Sequence, residues 1–287
     1  MRLPLTFIVA PFVFTLLGCS NNFDPQSLVD SLRLIAVTAD PPDIPPGATS
    51  TLTATWANPG GAAPTFTWAA CLDPPSPTSG DINPACAASD MGASFIPLAG
   101  GAPTVTVTMP MLTMTELGLP DPSGGFYLPV RAIMTAGNQE LTAFYRLRYF
   151  FGTLSPNPPN QNPTLMDVYT IPEADAGAAE QTTLGPDDAP DVHAGDKLHL
   201  RAVLTPGSQE MYIDPLQGAT PITEIVTISW YTTAGTFNHD VTGQAEPDTT
   251  LTFDKHLPSS GSAVQLSIVA QDERGGTNVM QRQLTFR

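Results

Sequence analysis

Residues 266–286 read LSIVAQDERGGTNVMQRQLTF, and the fold follows from this stretch. Leu266, Ile268 and Ala270 occupy every second position, which is typical of a β-strand that buries one face. A Gly-Gly pair at 275–276 interrupts the pattern, and apolar residues then return up to Phe286. Glycines between two alternating segments favour a tight turn. The stretch therefore predicts two antiparallel strands joined by a hairpin.

The same arrangement occurs earlier in the chain. In residues 128–151, the apolar positions and the turn at Gly137 have the same spacing as those of 266–286. Residues 47–54 and 195–202 also match, because each begins with a glycine and continues as an alternating strand. Each copy then has a strand that ends in tryptophan, Trp68 and Trp230. Repeated spacing of this kind indicates two copies of one unit.

Many short alternating strands, turn residues between them and a buried tryptophan are typical of an immunoglobulin-like sandwich. We therefore predict an all-β protein with two antiparallel immunoglobulin-like β-sandwich domains in tandem, 28–152 and 164–287. The segment 153–163, TLSPNPPNQNP, has the composition of an extended proline-rich linker. The disulfide that joins the two sheets of antibody domains is absent, so the prediction depends on the repeated spacing.

Three segments also carry a family resemblance: LRLIAVTADPPDIPPGATSTLTATW at 32–56, WYTTAGTF at 230–237, and residues 266–286. They resemble the bacterial immunoglobulin-like repeats of predicted surface lipoproteins from myxobacteria and their relatives. The resemblance covers nearly the whole chain after the signal. It implies a fold and a location, and it implies no site residues.

The N-terminus has the features of an export signal. Arg2 is followed by an apolar stretch that ends in Leu16-Leu17-Gly18-Cys19, and this stretch is short for a membrane span. The tetrad resembles the lipobox of bacterial lipoproteins, which implies a signal peptide over 1–18, lipidation of Cys19 and a tether over 19–27. Ser20 is not the aspartate that resembles an inner-membrane retention signal, which favours the outer membrane, facing either side. The alternative is an ordinary cleaved signal with an incidental cysteine.

Two cysteines remain after lipidation, Cys71 and Cys86. An even pair in an exported chain predicts a disulfide. It would close one loop, and metal ligation by the two thiols is the weaker alternative because zinc sites need more ligands.

The formal net charge is −16, and residues 153–287 hold 17 acidic against 6 basic residues. An acidic surface repels phosphate backbones, so we expect no nucleic-acid partner. Acidic side chains in the segment 173–196 include Asp187, Asp188 and Asp191, which are candidate calcium ligands. Their spacing does not match the usual calcium loop, and a solvated acidic loop is the competing interpretation. No other cofactor is expected.

The chain contains no motif of a serine nucleophile, a phosphate-binding loop or a zinc protease. The pair Asp272 and Glu273, beside the Gly-Gly turn, has the composition of an exposed turn. We therefore expect no enzyme.

Two long loops are candidate binding surfaces, 69–95 and 205–224, because loops on a rigid sandwich often carry recognition. The second loop holds Met211, Tyr212 and Ile213, and the competing interpretation is that these side chains cover their own core. Aromatic side chains on both faces of residues 144–151 need cover, which the second domain or an outside partner could supply.

Together these features predict a membrane-tethered, non-enzymatic binding or structural lipoprotein of the bacterial cell envelope, with an envelope or surface protein as partner. One alternative is a carbohydrate-binding adhesin that uses Tyr212 and Phe95 as aromatic platforms. Another is a secreted hydrolase or metalloprotein.

Overall fold

The computed structural model describes residues 24–73, 82–87, 94–117, 120, 125–152, 155, 157–171, 181–214, 218 and 220–287. The predicted signal peptide and Cys19 lie outside these residues. Nearly all regular structure is β, and two short helices complete it: α1 (Pro84–Ala87) and α2 (Met114–Leu117). Within the described part of the chain, no helix has the length and apolar character needed to cross a bilayer.

Eight strands form the first sandwich. They are β1 (Arg33–Asp40), β2 (Asp43–Ile44), β3 (Thr49–Ala57), β4 (Thr65–Cys71), β5 (Phe95–Pro97), β6 (Thr104–Thr108), β7 (Phe126–Ala136) and β8 (Gln139–Tyr149). One sheet has the order β1-β3-β6, and the other has the order β2-β8-β7-β4-β5.

The second sandwich follows the same plan with additional short strands. They are β9 (Leu165–Ile171), β10 (Thr182–Thr183), β11 (Asp191–Val192), β12 (Lys197–Leu204), β13 (Met211–Ile213), β14 (Pro221–Thr223), β15 (Val226–Thr232), β16 (Thr236–Phe237), β17 (Val241–Gly243), β18 (Asp248–Thr252), β19 (Ala263–Asp272) and β20 (Thr277–Phe286). The sheets have the orders β10-β9-β12-β18-β16 and β11-β20-β19-β15-β17, and β13 pairs with β14 as a separate hairpin.

Both units share the immunoglobulin-like connection. The first strand, β1 or β9, lies in one sheet, and the chain then crosses to the other sheet, in the second unit after β10 has paired with β9. There the short strands β2 and β11 run parallel to the last strands, β8 and β20, while the other pairings are antiparallel. This confirms the predicted all-β fold of immunoglobulin-like sandwiches.

The core confirms the alternation seen in the sequence. Trp68 and Trp230 are each 1% exposed, at the centre of their own sandwich. Their indole N–H groups donate to the Ala102 carbonyl at 3.1 Å and to the Thr242 hydroxyl at 2.8 Å. The apolar positions of both long hairpins also belong to the two cores.

The predicted disulfide between Cys71 and Cys86 is confirmed. Its place differs from the expectation that both residues lie in one loop. Cys71 is the last residue of β4, where it pairs with Phe95 of β5, and Cys86 lies in α1. The bond therefore attaches α1 to the end of a core strand.

The described part of the proline-rich segment contacts both sandwiches. Asn157 and Asn160 are buried, and Asn162 is half-buried. The Asn162 side chain donates to the Ala39 carbonyl at 2.6 Å and accepts from the Thr277 N–H at 2.8 Å. It thus connects the first strand of one sandwich to the last strand of the other.

The end of the predicted tether also contacts the second sandwich. The Val29 N–H donates to the Thr232 carbonyl at 2.8 Å, and the Thr232 N–H donates to the Ser27 carbonyl at 2.9 Å. Asp24 lies 3.5 Å from a ring nitrogen of His256. The chain therefore touches the second sandwich before it enters the first.

Candidate binding surface and the joint beneath it

The turn between β19 and β20 is buried at Asp272 and Arg274, in contrast to the exposed turn that its sequence predicts, whereas Glu273 is exposed as predicted. Asp272 is 6% exposed and Arg274 is 1% exposed. The Asp272 carboxylate accepts the N–H groups of Arg274 and Gly276 at 2.9 and 2.8 Å. A Cβ at Gly276 would lie 2.8 Å from the Gln161 carbonyl and 2.2 Å from Asp272 Oδ2. Only glycine fits at this close approach of the two segments.

Arg274 is the centre of this region. Its Nη2 donates to Glu210 at 2.6 Å, its Nε to Glu224 at 3.5 Å and its Nη1 to the Pro158 carbonyl at 3.3 Å. The guanidinium also lies 5.3 Å from the centre of the Tyr212 ring. One side chain thereby connects the hairpin β13–β14, the proline-rich segment and the turn of the second sandwich.

Asn160 extends the same network to the first sandwich. Its N–H donates to Asp43 at 2.9 Å, and its side-chain amide donates to the two Asp272 oxygens at 3.2 and 3.1 Å. Asp43 in turn lies 3.9 Å from the Arg148 guanidinium. We name this network the interdomain joint, and its members are Asp43, Arg148, Asn160, Glu210, Glu224, Asp272 and Arg274.

Burial governs the electrostatics of the joint. Desolvation is the largest effect on Asp43, Glu224 and Asp272, and it raises the pKa of each above its usual range. The negative charge of Asp272 raises the pKa of Glu224 further, whereas Arg274 opposes the rise. Burial thus favours the neutral form of these three carboxyl groups, and the neighbouring guanidinium groups favour the charged form.

The hairpin β13–β14 lies on the joint and has two distinct faces. Met211 pairs with Thr223, and Ile213 pairs with Pro221. Because side chains alternate along a strand, these four share one face, which Ile225 continues. Met211 and Ile225 are each 62% exposed. We name Met211, Ile213, Pro221, Thr223 and Ile225 the hairpin outer face.

The predicted binding residues are thus divided between two environments. Met211 points outward, whereas Tyr212 is buried and donates its hydroxyl to Glu273 at 3.2 Å. The backbone of Ile213 is paired with the Asn157 side chain, at 2.6 Å through its N–H and 2.9 Å through its carbonyl. Adjacent side chains of a strand point to opposite faces, so the sequence could have indicated that Met211 and Tyr212 lie on different faces of the hairpin.

The aromatic residues considered as sugar platforms are both engaged. Tyr212 lies on the inner face of the hairpin, and the Phe95 ring is covered by the Arg131 guanidinium at 4.2 Å. Tyr145, from the aromatic strand of the first sandwich, donates its hydroxyl to the Gly275 carbonyl at 3.4 Å. The second sandwich thus covers part of that strand.

Of the candidate calcium ligands, Asp187 is exposed, and Asp188 and Asp191 contact different partners. The Asp188 carboxylate accepts the Gly185 N–H at 2.7 Å, and the Asp191 carboxylate lies 3.0 Å from the Arg287 guanidinium. In the described residues, the one cluster of three ligand-type side chains is Cys71, Asp73 and Cys86, whose sulfurs form the disulfide. Part of the acidic stretch, 172–180, lies outside the described residues, and the calcium site stays a prediction.

Comparison with known proteins finds no matching family model and no matching curated protein. Among solved structures, the chain is similar to the three N-terminal domains of the bacteriophage RB49 highly immunogenic outer capsid protein, with 12% identity over 89% of this chain and a TM-score of 0.22. It is also similar to Drosophila N-cadherin EC1-4, with 10% identity over 88% of this chain and a TM-score of 0.23. The chain spans 59% of the first protein and 49% of the second. No function follows from similarity at this level.

Proposed function

We propose that this protein is a lipid-anchored, non-enzymatic binding or structural protein of the bacterial cell envelope, which contacts a protein partner through the hairpin outer face. The observation that carries the proposal is the exposure of Met211 and Ile225 on one face of a hairpin whose other face is anchored in the interdomain joint. Neighbouring exposed apolar side chains are typical of interaction sites.

The anchoring favours binding because it reduces the entropy lost on association. The inner face of the hairpin is held by Arg274, and its end is held by Asn157. A surface that is ordered before the partner arrives loses little conformational freedom when it binds. Exposed side chains on an anchored backbone suit a recognition role.

The chemistry of this face favours a protein over a glycan. Its apolar members are methionine, isoleucine and proline, and none of its members is aromatic. Methionine is adaptable and is enriched at protein interfaces. An open, flat surface that binds a sugar usually presents an aromatic ring, and Tyr212 is buried beneath this face.

The membrane part of the proposal comes from the sequence. The tetrad that ends at Cys19 supports lipid attachment, and two or more acyl chains would hold the protein stably. The variant Cys19→Ala should move the protein from the detergent phase to the aqueous phase in a detergent-partitioning assay. A variant that still sediments with membranes after a salt wash would contradict lipid anchoring.

The binding surface is tested with Met211→Ser/Ile225→Ser as bait in crosslinked cell envelopes. The matched control is Val241→Ser, which removes an apolar side chain that is 57% exposed on β17. We expect the double variant to lose the partner that the wild type and the control both capture. Circular dichroism and thermal midpoint should be unchanged, since both side chains are exposed. Equal capture by all three proteins would exclude this face.

A further inference from the structure

A second cleft lies away from the hairpin, where the two sandwiches meet at the other end of β19 and β20. The turn at 58–60 of the first sandwich forms one wall, and Gln265, Gln281 and Gln283 of the second sandwich form the floor. Its volume is about 450 Å³. Small-molecule sites commonly have this size and commonly lie between domains.

The lining is rich in neutral hydrogen-bonding groups. It contains four amide side chains, from Asn58 and the three glutamines, and the hydroxyls of Thr233 and Ser262. Side-chain amides both donate and accept hydrogen bonds. Hydroxyl groups of a ligand also donate and accept hydrogen bonds, so each ligand hydroxyl can bond to an amide of the cleft either as donor or as acceptor.

Charge is almost absent from the cleft, although the chain has 27 acidic residues. Among the described residues no carboxylate lines it, and the one cation in this lining, Arg282, is paired with Asp167 at 3.6 Å and bonded to the Leu184 carbonyl. An ionic ligand would therefore find no unpaired opposite charge among the lining side chains. The cleft suits an uncharged ligand.

The glutamines lie on the face of a sheet. Gln265 pairs directly with Gln283, and Gln281 pairs with Ser267, so their side chains share one face. Peptides that add to a sheet use the backbone groups along its edge. A ligand placed on this face would instead meet side-chain amides and the rings of Pro59, Pro186 and Pro258. Hydroxyl groups beside apolar C–H surface fit that environment.

We propose that this cleft is a second binding site, independent of the hairpin outer face, for an uncharged polyhydroxylated ligand of the oligosaccharide class. The ligand's hydroxyls bond to the amides of Gln265 and Gln283, and its C–H faces pack on the prolines. The site requires both sandwiches, because Asn58 and Pro59 come from the first and the glutamines from the second. It differs from the aromatic platforms of Tyr212 and Phe95, which are both engaged.

The test uses the full-length protein in a detergent without sugar head groups. Four neutral trisaccharides, maltotriose, cellotriose, mannotriose and N-acetylchitotriose, are titrated up to about 10 mM by saturation-transfer NMR and calorimetry. We expect at least one to bind, and Gln265→Ala/Gln283→Ala to weaken it at least tenfold. The matched control, Gln271→Ala, removes an exposed glutamine from the same face of β19 and should bind as the wild type does.

Three outcomes would overturn the proposal. In the first, none of the four trisaccharides binds. In the second, the double variant binds the trisaccharide as well as the wild type does. In the third, the wild type binds an uncharged peptide such as Gly-Ser-Thr-Gly-Ser more tightly than any trisaccharide, and the double variant no longer binds this peptide. Thermal midpoints of the variants establish that any loss is local. Envelope capture through the hairpin outer face uses different variants, so failure of one proposal is distinguishable from failure of the other.

Discussion

Removing the guanidinium of Arg274 should destabilise the whole molecule and separate its two halves. Arg274→Met keeps most of the side-chain volume and deletes the charge. In the native joint this side chain and that of Glu224 are both 0% exposed, and Glu210 is 18% exposed. The change therefore leaves a buried carboxylate without its cation, and the Pro158 carbonyl without its donor.

The expected loss is about 3–5 kcal/mol of the free energy of unfolding, the usual cost of breaking a buried ion pair from one side. For a chain of this size, 1 kcal/mol corresponds to about 2–4 °C in the melting midpoint. The predicted decrease is therefore about 6–20 °C. Because Arg274 contacts both the hairpin and the proline-rich segment, we also expect one cooperative transition to become two.

Scanning calorimetry and urea unfolding measure both effects. The matched control is Arg201→Met, which breaks a surface pair with Asp248 whose side chains are 34% and 42% exposed. Exposed pairs contribute about 0.2–1 kcal/mol, so the control should be close to the wild type. Arg274→Met/Glu224→Gln should recover part of the stability, because the second change removes the uncompensated charge.

The loss of stability caused by Arg274→Met should also depend on pH, and it should increase as pH rises. Burial and the charge of Asp272 raise the pKa of Glu224 in the folded state. The folded protein then binds a proton more tightly than the unfolded chain, so its stability falls as pH rises from the unfolded value, about 4.3, through the raised pKa. Loss of Arg274 raises that pKa further. The difference in free energy of unfolding between wild type and Arg274→Met should therefore be larger at pH 8 than at pH 5.

Two results would refute this account of the joint. One is a loss of stability in Arg274→Met no greater than that in Arg201→Met. The other is a double variant that is no more stable than Arg274→Met.

Three further expectations concern the cores, the disulfide and the acidic loop. Trp68→Ala and Trp230→Ala should each lose about 3–5 kcal/mol in urea unfolding, since both indoles are fully buried; a loss under about 1 kcal/mol would contradict their central place. Cys71→Ala/Cys86→Ala should lose about 3 kcal/mol and expose α1 to proteolysis while far-UV circular dichroism stays native; free thiols in unreduced wild-type protein would contradict the bond. If the acidic loop binds calcium, millimolar calcium should raise the melting temperature of the wild type. A variant with Asp187, Asp188 and Asp191 changed to Asn should show no such rise. An unchanged melting temperature of the wild type would exclude the site.

The candidate surface was partly predictable from the sequence. The apolar residues of the loop 205–224 stand out because they lie between turn residues, and this identified Met211 as a binding candidate. Their division into two faces depends on the pairing of β13 with β14, which places Tyr212 inward against Arg274. The alternation is visible in the sequence. Which of the two faces is buried depends on how β13 pairs with β14, and this pairing joins residues that are distant along the chain.

The sequence by itself determined the two sandwiches, their tryptophan centres and the disulfide. The sandwiches and their tryptophan centres depend on alternation within a strand and on the spacing of turns, which are local properties that repeat along the chain. The disulfide follows from the even pair of cysteines in an exported chain. Only the tertiary structure decided that Asp272, Arg274 and Asn160 are buried. Their own neighbours are turn and linker residues. Asp43, Glu210 and Glu224, which accept hydrogen bonds from Asn160 and Arg274, come from distant parts of the chain. Local patterns report which face of a strand is apolar, whereas burial of a polar turn depends on what another domain places over it.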